Sequence, residues 1–168
     1  MNETQGQNGY LTTKLSKLTD RAEISELLSR FCSMVDDKSM NTTALETIFT
    51  QEGRIINPNG STVTGPAAIK AEKTKSFNRF RATQHVTSDH IIELEEDTAR
   101  LRANMLAMHL WSPEESDPLS LQTHFVAGGV FDATAVRTAE GWRFSELKSR
   151  ITWRTGSGMS AVAKTGVK

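Results

Sequence analysis

His85 lies in a polar stretch that opens an otherwise strand-like segment, QHVTSDHIIEL. A strand that only filled a core would carry valine or isoleucine there, whereas an imidazole titrates near neutral pH and can move protons. His90 has the opposite parity along the strand and is expected to face outward. Asp36 is unusual because the apolar face of the preceding helix stops at Val35, which leaves this carboxylate at a helix C-terminus, where the helix dipole disfavours it. Residues that break a local rule often serve a function, so His85 and Asp36 are candidates for acid–base chemistry; the alternative for Asp36 is simple solvation.

A second histidine, His109, lies on one face of another strand-like segment, LRANMLAMHLW. Side chains alternate along a strand, so the segment has two faces. Small and apolar residues dominate the first face and leave room for a ligand; this face carries Leu101, Ala103, Met105, Ala107 and His109. The opposite face is expected to point outward and carries Arg102, Asn104, Leu106, Met108 and Leu110. We therefore expect His109 to point into a cavity; the alternative is a core histidine bonded to a backbone carbonyl.

The composition indicates one globular domain without a bias toward a charged partner. The chain has 168 residues, 20 basic and 20 acidic side chains, and a formal net charge of zero. This balance lacks the basic surface that nucleic acids or anionic membranes attract. The single cysteine, Cys32, excludes an internal disulfide and is expected to be a small core residue. No apolar run could span a bilayer and the N-terminus has no signal-peptide pattern, so we expect a soluble, cytoplasmic protein.

The order of the elements along the chain is helices first and long strands last. Residues 1–18 are polar and are interpreted as a flexible lead-in, and Asp20 followed by Glu23 has the pattern of a helix start. Apolar residues then recur at helical spacing, and a later helix is expected to start at Pro66. Before it, GRIINPNGSTVTG predicts two short strands around an Asn-Gly turn. After residue 83 come four long strand-like segments.

Such an order is typical of an α+β fold in which a curved, mostly antiparallel sheet wraps on N-terminal helices. A double glycine, Gly128-Gly129, inside the third long segment predicts a bend or bulge. A bent sheet with helices across its concave side encloses a pocket, which is a natural small-molecule site. We expect this cone-shaped domain over residues 19–155, followed by a flexible tail rich in Gly and Ser over residues 156–168.

Five segments carry a family pattern: DRAEISELLSRFCSMVDDKSM, LETIFTQEGRI, TGPAAI, ATQHVTSDHIIELEEDTARLRANMLAMHL and GGVFDATAVRTAEGWRFSELKSRITWRTG. Together, from about Asp20 to Gly156, they resemble the SnoaL-like, scytalone dehydratase-like branch of the nuclear-transport-factor-2-like superfamily. The histidine of QHVTSDH is the most specific element, and Asp89 stands where the branch usually has asparagine. Phe131 stands where the branch commonly has tyrosine.

The resemblance implies a cone-shaped α+β barrel, an open cavity, usually no cofactor, and a small, often cyclic, hydrophobic substrate. Dehydratases of the branch use an aspartate at the end of the first helix and a histidine at the start of the first long strand. Asp36 and His85 fall on those positions, so the resemblance implies that they meet as an acid–base pair. His109 falls on the position of a further polar residue from the next strand. We therefore expect Asp36, His85 and His109 to be catalytic.

Five further residues are candidates for the substrate pocket. Met105 lies on the cavity face of its strand, and Phe131 and Trp111 could form walls of the pocket. Asp89 is included because of its place in the family motif, and His124 is included although the double glycine that follows obscures the direction of its side chain. No metal is expected, because the histidines include no close-spaced ligand pair.

Two classes of function fit these observations. The first is a cofactor-independent lyase, isomerase or cyclase, such as a dehydratase, that acts on a polyketide, terpenoid or steroid-like natural product. The alternative is a non-catalytic module for small-molecule binding or assembly on the same fold, which a blocked pocket or a solvent-facing Asp36 would favour. The outward face with Leu106, Met108 and Leu110 exposes more apolar surface than a monomer should, so we expect a homo-oligomer, either a dimer or a trimer.

Overall fold

Within the part of the chain that the structure describes, three helices precede or interrupt the sheet. The computed structural model describes residues 2–114 and 124–157, with side chains described from residue 7 onward. Helix α1 spans Asn2–Asp36, α2 spans Thr42–Glu46 and α3 spans Pro66–Phe77. The proline at the first position of α3 starts that helix where the sequence predicts it, because its fixed φ suits a helix start and its missing N–H costs nothing there. No helix among the described residues is long and apolar enough to cross a membrane.

Among the described residues, six strands form one curved, mostly antiparallel sheet with the order β2-β1-β6-β5-β4-β3. The strands are β1 Phe49–Ile56, β2 Thr62–Thr64, β3 Phe80–Glu95, β4 Thr98–Trp111, β5 His124–Thr138 and β6 Gly141–Gly156. Strands β1 and β6 pair in parallel, and the other neighbours pair antiparallel. The architecture confirms the predicted α+β class with an N-terminal helix packed on a curved sheet.

The core lies between α1 and the concave face of the sheet, as the apolar periodicity predicts. Ile24 and Leu28 of α1 are fully buried, and Phe31 contacts Phe49 edge-to-face with ring centroids 5.6 Å apart. Strand β4 alternates between buried and more exposed positions, and the buried positions are Ala99, Leu101, Ala103, Met105, Ala107, His109 and Trp111. The predicted inward face of β4 is therefore confirmed, and its Met105, Ala107 and His109 border the cavity described below.

The start of α1 differs from the prediction. The Asp20–Glu23 pattern predicts a helix beginning at Asp20, after a lead-in over residues 1–18, but α1 already begins at Asn2. Asp20 is not a cap: its carboxylate accepts two hydrogen bonds from Arg137, at 2.9 and 2.8 Å, and one from Trp142 Nε1, at 2.9 Å. The residue is only 8% exposed. These hydrogen bonds connect the middle of α1 to the end of the sheet formed by Arg137 and Trp142.

A β-bulge in β3 changes which side chains face inward. The pairing of β3 with β4 is interrupted between Ser88 and Ile91, and Asp89 within this interval has a φ of 52°. The extra residue resets the alternation, since a bulge places two residues opposite one on the partner strand. His90 therefore faces α1, where its Nδ1 lies 2.6 Å from Ser25 Oγ, and the prediction that His90 faces outward is wrong.

A β-bulge lies at the double glycine, as predicted, and its extra residue, Thr152, is on β6. The register between β5 and β6 shifts between Gly128 and Gly129. A Cβ atom on Gly129 would lie 2.3 Å from the carbonyl oxygen of Arg150, so the two backbones approach more closely than any side chain would permit. Of the predicted tail, Gly156 ends β6 and residues 158–168 lie outside the described residues.

Candidate active site

A cavity of about 610 Å³ lies between the helices and the concave face of the sheet. This volume suits a small organic molecule. Its apolar lining comes from α1 and from the inner face of the sheet and includes Phe31, Val35, Ile55, Met105, Phe131, Leu147 and Ile151. Several polar side chains also border the cavity, and two groups of them lie close together. One contains His85 and His109, and the other contains Lys73 with Asn57 and Glu72.

Asp36 ends α1 and is held by β3 through three hydrogen bonds. Its Oδ1 accepts from the Thr83 hydroxyl at 2.8 Å and lies 2.7 Å from His85 Nδ1, and its Oδ2 accepts from the His85 backbone N–H at 2.7 Å. Burial alone would raise the pKa of Asp36, but the hydrogen bonds from His85 and Thr83 outweigh burial and hold this pKa below its ordinary value. The carboxylate is therefore ionised, although it stands at a helix C-terminus.

This carboxylate holds the His85 ring in one tautomer. An ionised carboxylate can only accept hydrogen bonds, so His85 Nδ1 carries the proton and donates it to Asp36. Nε2, on the other side of the ring, then keeps its lone pair and can accept a proton. The His85 side chain is 7% exposed and lines the cavity. The structure thus brings together the two residues that the sequence nominates as a pair.

His109 lies in an aromatic cluster beside this pair. Its ring stacks on Phe125 with centroids 4.2 Å apart and planes inclined by 7°, and it contacts Phe80 at 4.8 Å and His85 at 5.7 Å. Its Nδ1 is buried and has no hydrogen-bond partner among the described residues. Burial, with a smaller contribution from His85, lowers the pKa of His109 to about 3. His109 is therefore a neutral imidazole at neutral pH.

The structure divides the five predicted pocket residues into two sets. Met105 and Phe131 line the cavity. Trp111 is buried behind it, packed on Phe80 and Phe125, so it supports the wall without lining it.

His124 and Asp89 also lie away from the cavity, which corrects their placement in the pocket. His124 is exposed at the first position of β5, because the inward positions before the double glycine are the odd-numbered Phe125 and Ala127. Asp89 is exposed in the β3 bulge, where its carboxylate accepts from the Asn104 side chain at 2.7 Å.

The second polar group was not among the residues nominated from the sequence. Lys73 Nζ donates to Asn57 Oδ1 at 2.6 Å and lies 3.1 Å from Glu72 Oε2, and the Lys73 side chain is only 11% exposed. The spacing along the helix could have identified Lys73, since Ile69, Lys73 and Phe77 recur every four residues and therefore share one face of α3. Ile69 is fully buried, so a lysine one turn later on the same face must also point inward.

Neither a metal cluster nor a reactive thiol is found in the part of the chain that the structure describes. No group of three or more His, Cys, Asp or Glu side chains there could hold a metal ion. Cys32 is buried in the core, as predicted, and burial together with the charge of Asp36 raises the pKa of its thiol to about 12. The expectation of no metal and no cofactor stays a prediction.

A helix and a curved sheet around an open cavity, with a carboxylate and an imidazole paired at its wall, define a class of small α+β proteins. A family model for the SnoaL-like domain matches residues 16–148. The chain belongs to this SnoaL-like family, which confirms the resemblance seen in the sequence.

Solved structures with the same fold agree with this assignment. The Kfla4162 protein from Kribbella flavida is 29% identical, with a TM-score of 0.75 over 83% of this chain and 95% of the other. Hexachlorocyclohexane dehydrochlorinase LinA-type3 from Novosphingobium barchaimii LL02 is 19% identical, with a TM-score of 0.72 over 86% and 94%. A protein of Novosphingobium aromaticivorans DSM 12444, provisionally named a scytalone dehydratase, is 21% identical, with a TM-score of 0.68 over 86% and 90%. A comparison with curated proteins finds no match.

Proposed function

We propose that the protein is a cofactor-independent lyase, isomerase or cyclase in which His85 is the base and Asp36 orients it. The observation that carries the proposal is the 2.7 Å contact between Asp36 Oδ1 and His85 Nδ1 at the wall of an apolar cavity. The similar structures include a dehydrochlorinase and a protein provisionally named a dehydratase, and elimination is the chemistry that these two names share. The substrate class is a small hydrophobic, often cyclic molecule such as a polyketide, terpenoid or steroid-like natural product.

The proposed reaction begins with proton transfer to His85 Nε2 from a carbon next to a carbonyl or from a hydroxyl. In an elimination, the electrons of the broken C–H bond form the new double bond, and the leaving group on the neighbouring carbon departs with its bonding electrons. Asp36 stabilises the imidazolium that forms, because its negative charge lies against Nδ1–H. Apolar walls strengthen this interaction by excluding water.

His109 does not act as the general acid in this proposal. Because its pKa is lowered to about 3, it is neutral at neutral pH and does not supply a proton as an imidazolium. The His85 imidazolium is then the proton donor of the second step, which gives water when the leaving group is a hydroxyl. His109 contributes a neutral polar edge to a wall otherwise formed by Phe80 and Phe125.

The base can be tested before the natural substrate is found. Tetralone, a bicyclic ketone of suitable size, exchanges its acidic carbon-bound hydrogens with heavy water when a base acts on it, and mass spectrometry measures the uptake of deuterium. Removal of a general base typically slows such a step by about 10²–10⁴-fold. We expect His85→Ala and Asp36→Asn each to lower protein-catalysed exchange by that order. The Asp36→Asn variant would present a neutral amide instead of a charge to the ring, so the imidazolium would lose its stabilising partner.

His124→Ala is the matched control, because His124 is exposed and outside the cavity. It should exchange at the wild-type rate. A His85→Ala variant that folds normally and still exchanges at the wild-type rate would overturn the role of His85. A wild-type protein that binds tetralone but accelerates no exchange would instead favour the alternative, a non-catalytic binding module.

A further inference from the structure

Lys73 is a buried cation that the proposed proton transfer does not use. It lies on the inner face of α3 and lines the cavity, with its side chain 11% exposed. An ammonium group has three N–H donors. One of them donates to Asn57 Oδ1 at 2.6 Å. Glu72 Oε2 lies 3.1 Å from Nζ as an ion-pair partner but accepts no hydrogen bond, so the ammonium group keeps N–H donors without an acceptor among the described residues. Burying a lysine without filling all of its donors costs free energy, so the position calls for a reason.

The geometry relates this lysine to His85. Phe77 follows Lys73 by one turn of α3, and the Phe77 ring lies 5.8 Å from the His85 ring, centroid to centroid. Four residues advance about 6 Å along the helix axis, so Lys73 and His85 are separated by on the order of 10 Å along this wall, and a ligand that contacts both would bridge that separation past Phe77. This is the length of a fused two-ring molecule with one substituent.

We propose that Lys73 is a substrate-positioning residue whose free N–H donates to an oxygen acceptor of the ligand, a carbonyl or carboxylate oxygen, at the end of the cavity away from the reacting carbon. The ligand class is then a two-ring apolar molecule that carries one such oxygen on the ring remote from His85. Burial lowers the pKa of Lys73, against the opposing charge of Glu72, and a ligand oxygen offsets part of that lost hydration. The inference rests on the proposed function only in placing the reacting carbon at His85.

Three probe molecules of similar shape distinguish the contribution of the oxygen acceptor to binding from that of the apolar rings. Methyl naphthyl ketone has a carbonyl, ethylnaphthalene replaces it by a methylene group of similar volume, and naphthoate carries a charged carboxylate. Their affinities for the full-length protein are measured by displacement of a fluorescent dye bound in the cavity. A hydrogen bond to a charged donor corresponds to a preference of about tenfold or more, so we expect the ketone to bind at least that much more tightly than the hydrocarbon.

Lys73→Met keeps the length and the apolar stem of the side chain but removes its donors. It should weaken ketone and naphthoate binding about tenfold and leave ethylnaphthalene unchanged. A larger loss for naphthoate than for the ketone identifies an anionic acceptor, and equal losses identify a neutral one. Lys70→Met is the control, because Lys70 is exposed on the same helix and outside the cavity lining. It should change none of the three affinities.

A structural role for Lys73 predicts a different result, namely that Lys73→Met weakens all three probes alike. That outcome, or a wild-type protein that binds ketone and hydrocarbon equally, overturns the proposal. The double variant Glu72→Gln with Lys73→Met removes both charges together and serves if the single variant is too unstable to fold, since it leaves no unpaired carboxylate. Binding needs no turnover, so a failure of His85 as base leaves this result standing, and a failure here leaves the deuterium-exchange result standing.

Discussion

The burial of His109 should make the stability of this protein depend on pH in a way that one substitution removes. His109 stacks on Phe125 and packs against Phe80, with its Nδ1 unpaired among the described residues. Replacement by phenylalanine keeps an aromatic ring of similar shape in an aromatic cluster and removes both ring nitrogens. At neutral pH the two proteins should be of similar stability, because the loss of an unpaired polar atom and the slightly larger ring oppose each other.

The magnitude follows from the difference between the folded and unfolded states. Burial lowers the His109 pKa in the folded protein to about 3, whereas its value in the unfolded chain is 6.5. Between these two pH values the unfolded state binds one more proton than the folded state, so the free energy of unfolding decreases as pH falls, by about 1.4 kcal/mol per pH unit. From pH 7.5 to pH 5 the loss amounts to about 2 kcal/mol in the wild type, and His109→Phe should escape it.

Urea unfolding followed by circular dichroism, repeated between pH 7.5 and pH 4.5, measures both curves. Carboxylates contribute at more acidic pH, because the pKa values of Asp20 and Asp36 are held below 3.8. His90, whose pKa is also lowered by burial, is present in both proteins and cancels. His124→Phe is the matched control and should follow the wild-type curve, since an exposed side chain loses little hydration on folding. If the His109→Phe and wild-type curves run parallel over this range, the argument from burial is refuted.

Two other changes test the tie from α1 to the sheet and the predicted self-association. Asp20→Asn should lower the free energy of unfolding by about 1–3 kcal/mol, because it removes the charge that Arg137 and Trp142 bind. The control is Asp97→Asn, whose carboxylate pairs with the same arginine but is 81% exposed, so it should change the free energy of unfolding by less than about 0.5 kcal/mol. Equal effects of the two substitutions would contradict this account. We also expect a dimer or trimer through the outer face of the sheet, where Leu106 and Met108 are each 37% exposed. Light scattering should show an oligomer that Leu106→Lys with Met108→Lys converts to a monomer, and a monomeric wild type would argue against it.

The sequence by itself determined the features that depend on short-range periodicity. Apolar residues at helical spacing identified the buried face of α1, and alternation identified the cavity face of β4, including His109. The end of α1 at Asp36 was predictable because the apolar stripe stops one residue earlier, and the start of α3 was predictable because proline suits that position. The family pattern then placed Asp36 opposite His85, which periodicity cannot do.

Tertiary structure decided the features in which a side chain's direction depends on a distant partner. A single extra residue at the Asp89 bulge turned His90 inward, because strand parity counts only between bulges. Asp20 has the pattern of a cap, but Arg137 and Trp142, more than a hundred residues later, hold it in the middle of a longer helix. The direction of the Lys73 side chain likewise depends on its hydrogen bond to Asn57, which the turn between β1 and β2 brings close to α3. Local sequence records propensities over a few residues, whereas these directions are set by hydrogen bonds that exist only once the sheet has closed around the helices.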